Sequence, residues 1–394
     1  MTEMVSKVRE KFNEHFGGQP LLVRSPGRIN LIGEHTDYND GFVMPAAINF
    51  DTIFAIGLSN DGRTEIYSQM YDESYEVDLN DVNPVKKPAW ANFLLGVIKQ
   101  FILKGLEVQP FKCVFGGDVP LGAGLSSSAS VECGFAYAVN ELMRHNLSRQ
   151  EMALMAQWSE HNFVGVKCGI MDQFASIMGK KDHVLFLDCR SLHFEYSPIS
   201  LPEHAVVLCD TKVKHSLVDS EYNTRRAECE GGAGVLRRHY PEVHSLRDAN
   251  EEMVRKHRAE MPGKTFQRCL YVVQEIERVQ KASEDLKANR LREFGKKMYE
   301  THEGLSKLYE VSCEELDFLV EEARKMPSIV GSRMMGGGFG GCTISIIPKD
   351  DVQKFVASAS DAYHKKFGHD MAHYIVSIED GTEIITEDDR MIEK

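Results

Sequence analysis

Gly116-Gly117-Asp118-Val119-Pro120-Leu121-Gly122-Ala123-Gly124-Leu125-Ser126-Ser127-Ser128-Ala129-Ser130 packs four glycines and four serine hydroxyls into fifteen residues. An apolar run, Phe111 to Phe115, precedes it, and Val131, Phe135, Ala138, Val139 and Leu142 follow at helical spacing, so the order is strand, glycine loop, helix. A helix that starts after such a loop offers unpaired backbone N–H groups at the positive end of its dipole, which suits a phosphate. One or two glycines would read as a turn with serine caps, but this density favours an anion cradle. It is neither of two common cradles. The residue three beyond Gly124 is Ser127, which breaks the dinucleotide pattern G-x-G-x-x-G, and no G-K-[ST] closes the loop. Gly263-Lys264-Thr265 does occur, yet Arg258 stands where a Walker A loop requires Gly, so that tripeptide reads as a surface turn.

Outward from this loop, the composition sets bounds. The 394 residues, 42% hydrophobic and 27% charged, are enough for two globular domains, and the net charge of −13 argues against nucleic acid or an anionic membrane as partner. No signal pattern or membrane-length apolar run appears, and Met1 to Phe16 reads as a charged amphipathic helix, so the expected location is the cytoplasm and the expected state a monomer. The nine cysteines contain no C-x-x-C pair and the fifteen histidines no H-x-x-x-H on one helix, so no transition-metal site is expected.

Ser25 to Asn39 is the second informative stretch. Ile29, Leu31 and Ile32 anchor it to a core, while Glu34, His35, Thr36, Asp37, Tyr38 and Asn39 put six consecutive hydrogen-bonding side chains into one loop, a donor and acceptor mixture that fits a polyhydroxyl ligand better than solvent. Phe50 to Leu58 and Thr64 to Tyr67 alternate as strands about Asn60-Asp61-Gly62, a hairpin signal. Ala91 to Leu103 is an amphipathic helix, and a capping box, Ser148 with Glu151, opens another whose apolar stripe carries Met152, Met155, Ala156 and Phe163. Glu160 falls on that stripe, either turned inward toward a cation or left at the rim. Asp172, after the glycine-punctuated Gly165 to Gly169, is either a helix-dipole partner or a reactive carboxylate among Ile170, Met171 and Phe174.

Ser197 to Pro202 marks the expected boundary between an N-terminal domain, 1–200, and a C-terminal domain, 201–394. The second half reads as mostly helical until Gly336-Gly337-Gly338-Phe339-Gly340-Gly341. These glycines permit close backbone approach, either to a ligand or to the first glycine loop.

Pro26 to Tyr38, Pro120 to Ser130 and Gly336 to Cys342, in that order, resemble the three motifs of the GHMP small-molecule kinases, and the Gly33-Glu34-His35-Thr36-Asp37-Tyr38-Asn39 loop, Cys168 to Gln173 and Ser220-Glu221-Tyr222-Asn223 resemble its galactokinase branch. The resemblance spans nearly the whole chain. It implies a two-domain α+β fold with the active site in the cleft between domains, and ATP-dependent phosphorylation of α-D-galactose at its C1 hydroxyl, the first committed step of galactose breakdown. By position, Gly122, Ala123, Gly124, Leu125, Ser126, Ser127 and Ser128 would wrap the ATP phosphates, with Ser68 touching the nucleotide. Ser128 and Glu160 would hold Mg²⁺, and Asp172 with Arg28 would form the catalytic pair. Glu34, His35, Thr36, Asp37, Gly169 and Tyr222 would bind the sugar. An N-acetylgalactosamine kinase, a catalytically silent galactose and ATP sensor, and a dinucleotide-binding oxidoreductase are the alternatives; the intact serine loop, Asp172 and Arg28 weigh against the sensor, and the missing third glycine against the oxidoreductase.

Overall fold

The computed structural model describes residues 2–213 and 218–386. Its first half is built on a six-stranded sheet in the spatial order Glu383–Ile384, Leu21–Asn30, Pro45–Leu58, Phe111–Gly117, Thr64–Ser68, Glu73–Val77. Strand periodicity explains why both faces are covered. Val23, Phe54, Ile56, Cys113 and Phe115 point to a layer of helices that includes Ala91–Leu103, Ser127–Met143 and Arg149–Ser159, while Leu22, Ile53, Ala55 and Val114 point to Val5, Val8 and Phe12 of the first helix, Thr2–His15.

The expected hairpin is not formed. Phe111–Gly117 inserts between the two flanks of the Asn60-Asp61-Gly62 turn, antiparallel to Pro45–Leu58 and parallel to Thr64–Ser68. That strand carries Phe111, Cys113, Val114 and Phe115, all buried, so it belongs at the centre of the sheet. Lys112 then reaches the turn itself, donating to Asp61 at 3.1 Å.

The second half contains a four-stranded antiparallel sheet in the order Gly331–Met334, Cys342–Pro348, His204–Asp210, Ala372–Val376, with long helices such as Val218–Arg237 and Thr265–Lys287 packed beside it. A three-stranded sheet, Phe42–Val43, His183–Asp188 and Phe194–Pro198, completes the strand pairing among the described residues. One large apolar cluster runs from Ile29, Leu31 and Met44 through Tyr271 and Val279 to Met334 and Ile344, so the region around Ser25 to Asn39 and the second half share a core. Among the described residues no helix is long and apolar enough to cross a membrane.

The two glycine clusters meet. A Cβ on Gly336 would come within 3.3 Å of the Gly124 carbonyl oxygen, and one on Gly341 within 3.3 Å of that of Ala123. Both glycines also have left-handed φ, 81° and 77°, so a side chain at either would be strained as well as crowded. Of the two uses open to this cluster, approach to the first loop is therefore realised.

Candidate active site

Arg28 is the hub. Its strand, Leu21–Asn30, brings it beneath the glycine loop, where its backbone N–H donates to the Leu125 carbonyl at 3.1 Å and Nη1 donates to the Gly124 carbonyl at 2.6 Å. Its remaining edge faces Asp172: Nε donates to Oδ1 at 2.7 Å and Nη2 to Oδ2 at 2.9 Å, a bidentate fork that fixes the carboxylate plane. Burial alone would draw the guanidinium pKa down, but the charge and hydrogen bonds of Asp172, with Glu34 and Asp37 behind, hold it above its ordinary value. Asp172 sits in the first turn of the helix Met171–Met178 and receives a third donor, the hydroxyl of Ser126. Ser126 has a left-handed backbone, φ 58°, and its side chain does not cap the helix Ser127–Met143. The backbone twist instead turns its hydroxyl to the carboxylate.

Gly122, Gly124, Leu125, Ser126, Ser127 and Ser128 line a cavity of about 480 Å³ whose opposite wall is Met335 with Gly337 to Gly341. Ala123 is fully buried behind this loop and does not line it. Ser68 is also buried, its hydroxyl has no hydrogen-bond partner among the described residues, and it lines neither this cavity nor the next.

A second, tighter cavity is lined by Arg28, Glu34, His35, Asp37, Gly169, Asp172, Tyr222, Gly336 and Gly337, along with Cys168 and Met171. The polar loop therefore folds inward. Glu34 accepts from the backbone N–H of Gly336 at 2.7 Å and pairs with Arg333 at 3.1 Å; both side chains are buried. His35 has left-handed φ, 62°, and its Nδ1 meets the Tyr38 hydroxyl at 2.7 Å, which meets the Tyr309 hydroxyl at 2.8 Å. Burial, then the positive charge of Arg225, pushes the imidazole down to about 3 against the opposing pull of the Gly337 backbone, so His35 is neutral, and its buried Nε2 makes no well-aligned hydrogen bond among the described residues. Burial and the nearby Asp172 push Asp37 up to about 7. Gly169 is required beside it, since a Cβ there would lie 2.0 Å from Asp37 Oδ2. The side chain of Ser220 lies outside the described residues.

Thr36 departs from its assigned role. Its hydroxyl is directed at the Gly33 and Phe42 carbonyls, 2.9 and 2.7 Å away, and it does not line the cavity. Two buried carbonyls capture a hydroxyl more effectively than an open cleft does, so Thr36 shapes the loop.

Glu160 adopts the inward alternative. It lies in a single π turn, Glu160–Val164, is buried, and accepts from Gln173 Nε2 at 2.9 Å. Next to it lies Glu132, a residue the sequence reading did not single out. Neither Glu132 oxygen makes a well-aligned hydrogen bond, although Ser159, Gln173 and Glu160 surround it, and burial followed by the charge of Glu160 holds its pKa far above the carboxylate range. Ser128 lies one helical turn before Glu132 on the same helix face. A buried carboxyl pair of this kind, with hard oxygen donors, fits a divalent cation. Helical spacing from Ser128 was the signal that could have drawn attention to Glu132; Arg333, which anchors Glu34, had none, because the contact crosses the whole chain.

Against known families, residues 10–58 match the galactokinase galactose-binding signature, 92–180 the GHMP kinases N terminal domain and 282–365 the GHMP kinases C terminal domain. A galactokinase of Roseiflexus sp. is 39% identical over 95% of this chain and 96% of its own, and one of Clostridium acetobutylicum is 40% identical over 97% and 100%. The crystal structure of Lactococcus lactis galactokinase complexed with galactose superposes with a TM-score of 0.92 at 33% identity, covering 96% of this chain and 99% of that one. Methanococcus jannaschii mevalonate kinase, at 17% identity and a TM-score of 0.66, shares the fold. Motif order, two-domain α+β architecture and identity along nearly the full length agree, and the chain belongs to the galactokinase family of the GHMP kinases.

Proposed function

We propose that the chain transfers the γ-phosphoryl group of ATP to the C1 hydroxyl of α-D-galactose. One observation carries the reading: Ser126 lines the larger cavity, Asp172 lines the smaller, and their side chains are hydrogen bonded where the two cavities meet. ATP would lie with its phosphates against Gly122 to Ser128, facing the open N–H groups of the helix Ser127–Met143, and galactose would occupy the cavity between Glu34, His35, Asp37, Gly169 and Tyr222.

Phosphoryl transfer through a loose transition state depends on alignment and charge neutralisation more than on covalent chemistry. Asp172, held in one plane by Arg28, would accept or orient the proton of the attacking hydroxyl, and Arg28 would stabilise charge gathering on the transferred group. Ser128 and Glu160, with Glu132 behind, would hold Mg²⁺, which when bound would supply charge neutralisation at the phosphates. Neutral His35 would offer its Nε2 to a sugar hydroxyl.

A coupled assay of ADP release tests the reading with galactose, glucose and N-acetylgalactosamine. Galactose should support turnover and glucose very little, since each buried polar group left unpaired by the displaced C4 hydroxyl costs about 1 to 3 kcal/mol. ADP release that no sugar stimulates would defeat the proposal.

Replacing Glu160→Gln removes one hard anionic oxygen while leaving the sugar cavity intact, so the Mg²⁺ requirement should rise, with partial rescue at high Mg²⁺ and unchanged galactose titration. An unaltered Mg²⁺ dependence would remove Glu160 from the metal site. Asp37→Ala should raise the galactose requirement sharply and leave nucleotide titration near wild type; equal weakening of both ligands would make Asp37 a scaffold residue. The same substitution has a pH signature. Asp37 keeps its proton to about pH 7 when folded but only to about 3.8 when unfolded, so the folded chain binds more protons between those values and loses stability as pH rises through them. Thermal denaturation of the Asp37→Ala variant should show a shallower loss across that window.

A further inference from the structure

Far along the chain from the cleft residues, the fold assembles a cluster that local spacing in the sequence does not reveal. His239 follows the helix Val218–Arg237, His257 ends the short helix Glu251–Lys256, and Glu260 closes the 3-10 turn Arg258–Glu260. Glu260 stands between the two imidazoles: Oε2 is 2.8 Å from His239 Nε2, and Oε1 is 2.8 Å from His257 Nδ1. The rings lie face to face, 3.9 Å apart and 21° from parallel. One ligand atom from each residue falls within 4.8 Å of the others.

We propose that His239, His257 and Glu260 form a binding site for a d-block divalent cation such as Zn²⁺, separate from the Mg²⁺ used in phosphoryl transfer. Two imidazole nitrogens and one carboxylate are the donor set such ions select, whereas Mg²⁺ prefers oxygen alone. With metal–ligand bonds of about 2.0 to 2.2 Å, tetrahedral donors sit roughly 3.3 to 3.5 Å apart, and the three ligand atoms here already lie within 4.8 Å of one another. His239 and Glu260 are exposed, so the remaining coordination position opens to water and the ion has a way in. His257 is buried, its Nδ1 is the nitrogen that faces the carboxylate, and its Nε2 has no partner among the described residues. The edge of its ring stands against Tyr240, with centroids 5.5 Å apart at 81°.

Binding requires two tautomer shifts and one side-chain movement. The imidazole protons that now point at Glu260 move to Nδ1 of His239 and Nε2 of His257, and His239 swings out of the stack so that its lone pair converges with the other two. The buried Nε2–H then has no partner among the described residues, which weakens binding. Arg238 opposes the ion, since its guanidinium lies 3.6 Å from Glu260 Oε2, but it is exposed and free to turn away. An occupied site would tie the ends of two helices to one turn of the second half.

The test uses the full chain without a histidine tag, titrated with Co²⁺ and Zn²⁺. One equivalent of Co²⁺ should give visible d–d absorption that Zn²⁺ abolishes, and Zn²⁺ should raise the melting temperature. His239→Ala, at an exposed position, should weaken Co²⁺ binding by more than about tenfold, the least that loss of a direct ligand costs, and leave galactose turnover unchanged. Glu260→Gln should do the same, and Arg238→Gln should tighten binding. Equal Co²⁺ affinity in wild type and His239→Ala, or weaker binding in Arg238→Gln, would overturn the proposal, as would the absence of a Co²⁺ spectrum in the wild type.

Discussion

Asp172→Asn should lower turnover by about two to four orders of magnitude while the protein still binds galactose. The substitution preserves shape and one acceptor oxygen but removes the charge that Arg28 grips through two hydrogen bonds of 2.7 and 2.9 Å. The proton of the attacking hydroxyl then has no anionic acceptor, and the amide group must turn one N–H toward Arg28 or Ser126. Galactose affinity, measured by titration of the variant without nucleotide, should change little, because Glu34, His35 and Asp37 keep their places. A variant with near-normal turnover would take Asp172 out of the mechanism. One that fails to bind galactose would make it a part of the sugar site first.

Arg333→Met should cost about 3 to 5 kcal/mol of folding stability, read as a shift in the denaturant midpoint, because it leaves a buried carboxylate without its cation. Arg333 is fully buried and is saturated with partners: Nε donates to the Leu31 carbonyl at 2.9 Å, Nη1 to the Met334 carbonyl at 2.6 Å, Nη2 to the Asn30 carbonyl, and Glu34 completes the set. Methionine fills much of the volume but satisfies none of these groups. The double variant Arg333→Met, Glu34→Gln should recover part of the loss, since the stranded charge disappears with it. A loss below about 1 kcal/mol in the single variant would mean that Arg333 is not what holds Glu34 and the three carbonyls in place.

The parts of the fold and site that were legible in sequence are those in which the signal is local. The strand, loop and helix around Gly116 to Ser130, the helix Ala91–Leu103 and the capping box at Ser148 are set by periodicity and neighbouring side chains, and all stand where their spacing puts them. The pairing of Phe111–Gly117 between two sequence neighbours could not be read, because a turn of hairpin type says nothing about a strand that arrives later. Site residues were legible where motifs cluster them. Glu132 and Arg333 escaped notice for opposite reasons: one looks like an ordinary helix residue until its burial is known, and the other acts on atoms some three hundred positions away.

The edge strand Glu383–Ile384 lies beside Leu21–Asn30, antiparallel to it and far from it in sequence. Arg24 on that early strand donates to the carbonyls of Asp380 and Gly381 and pairs with Glu383 at 3.0 Å. In folding, therefore, the first sheet stays open along this edge until a segment far later in the sequence joins it, although Arg24 already has Asp51 as a nearby partner at 2.9 Å. The two halves cannot mature as independent beads on a string. Loss of the segment Asp380 to Ile384 would leave the first sheet with an unpaired edge and Arg24 with Asp51 as its remaining carboxylate partner, so damage late in the sequence would be felt early in it.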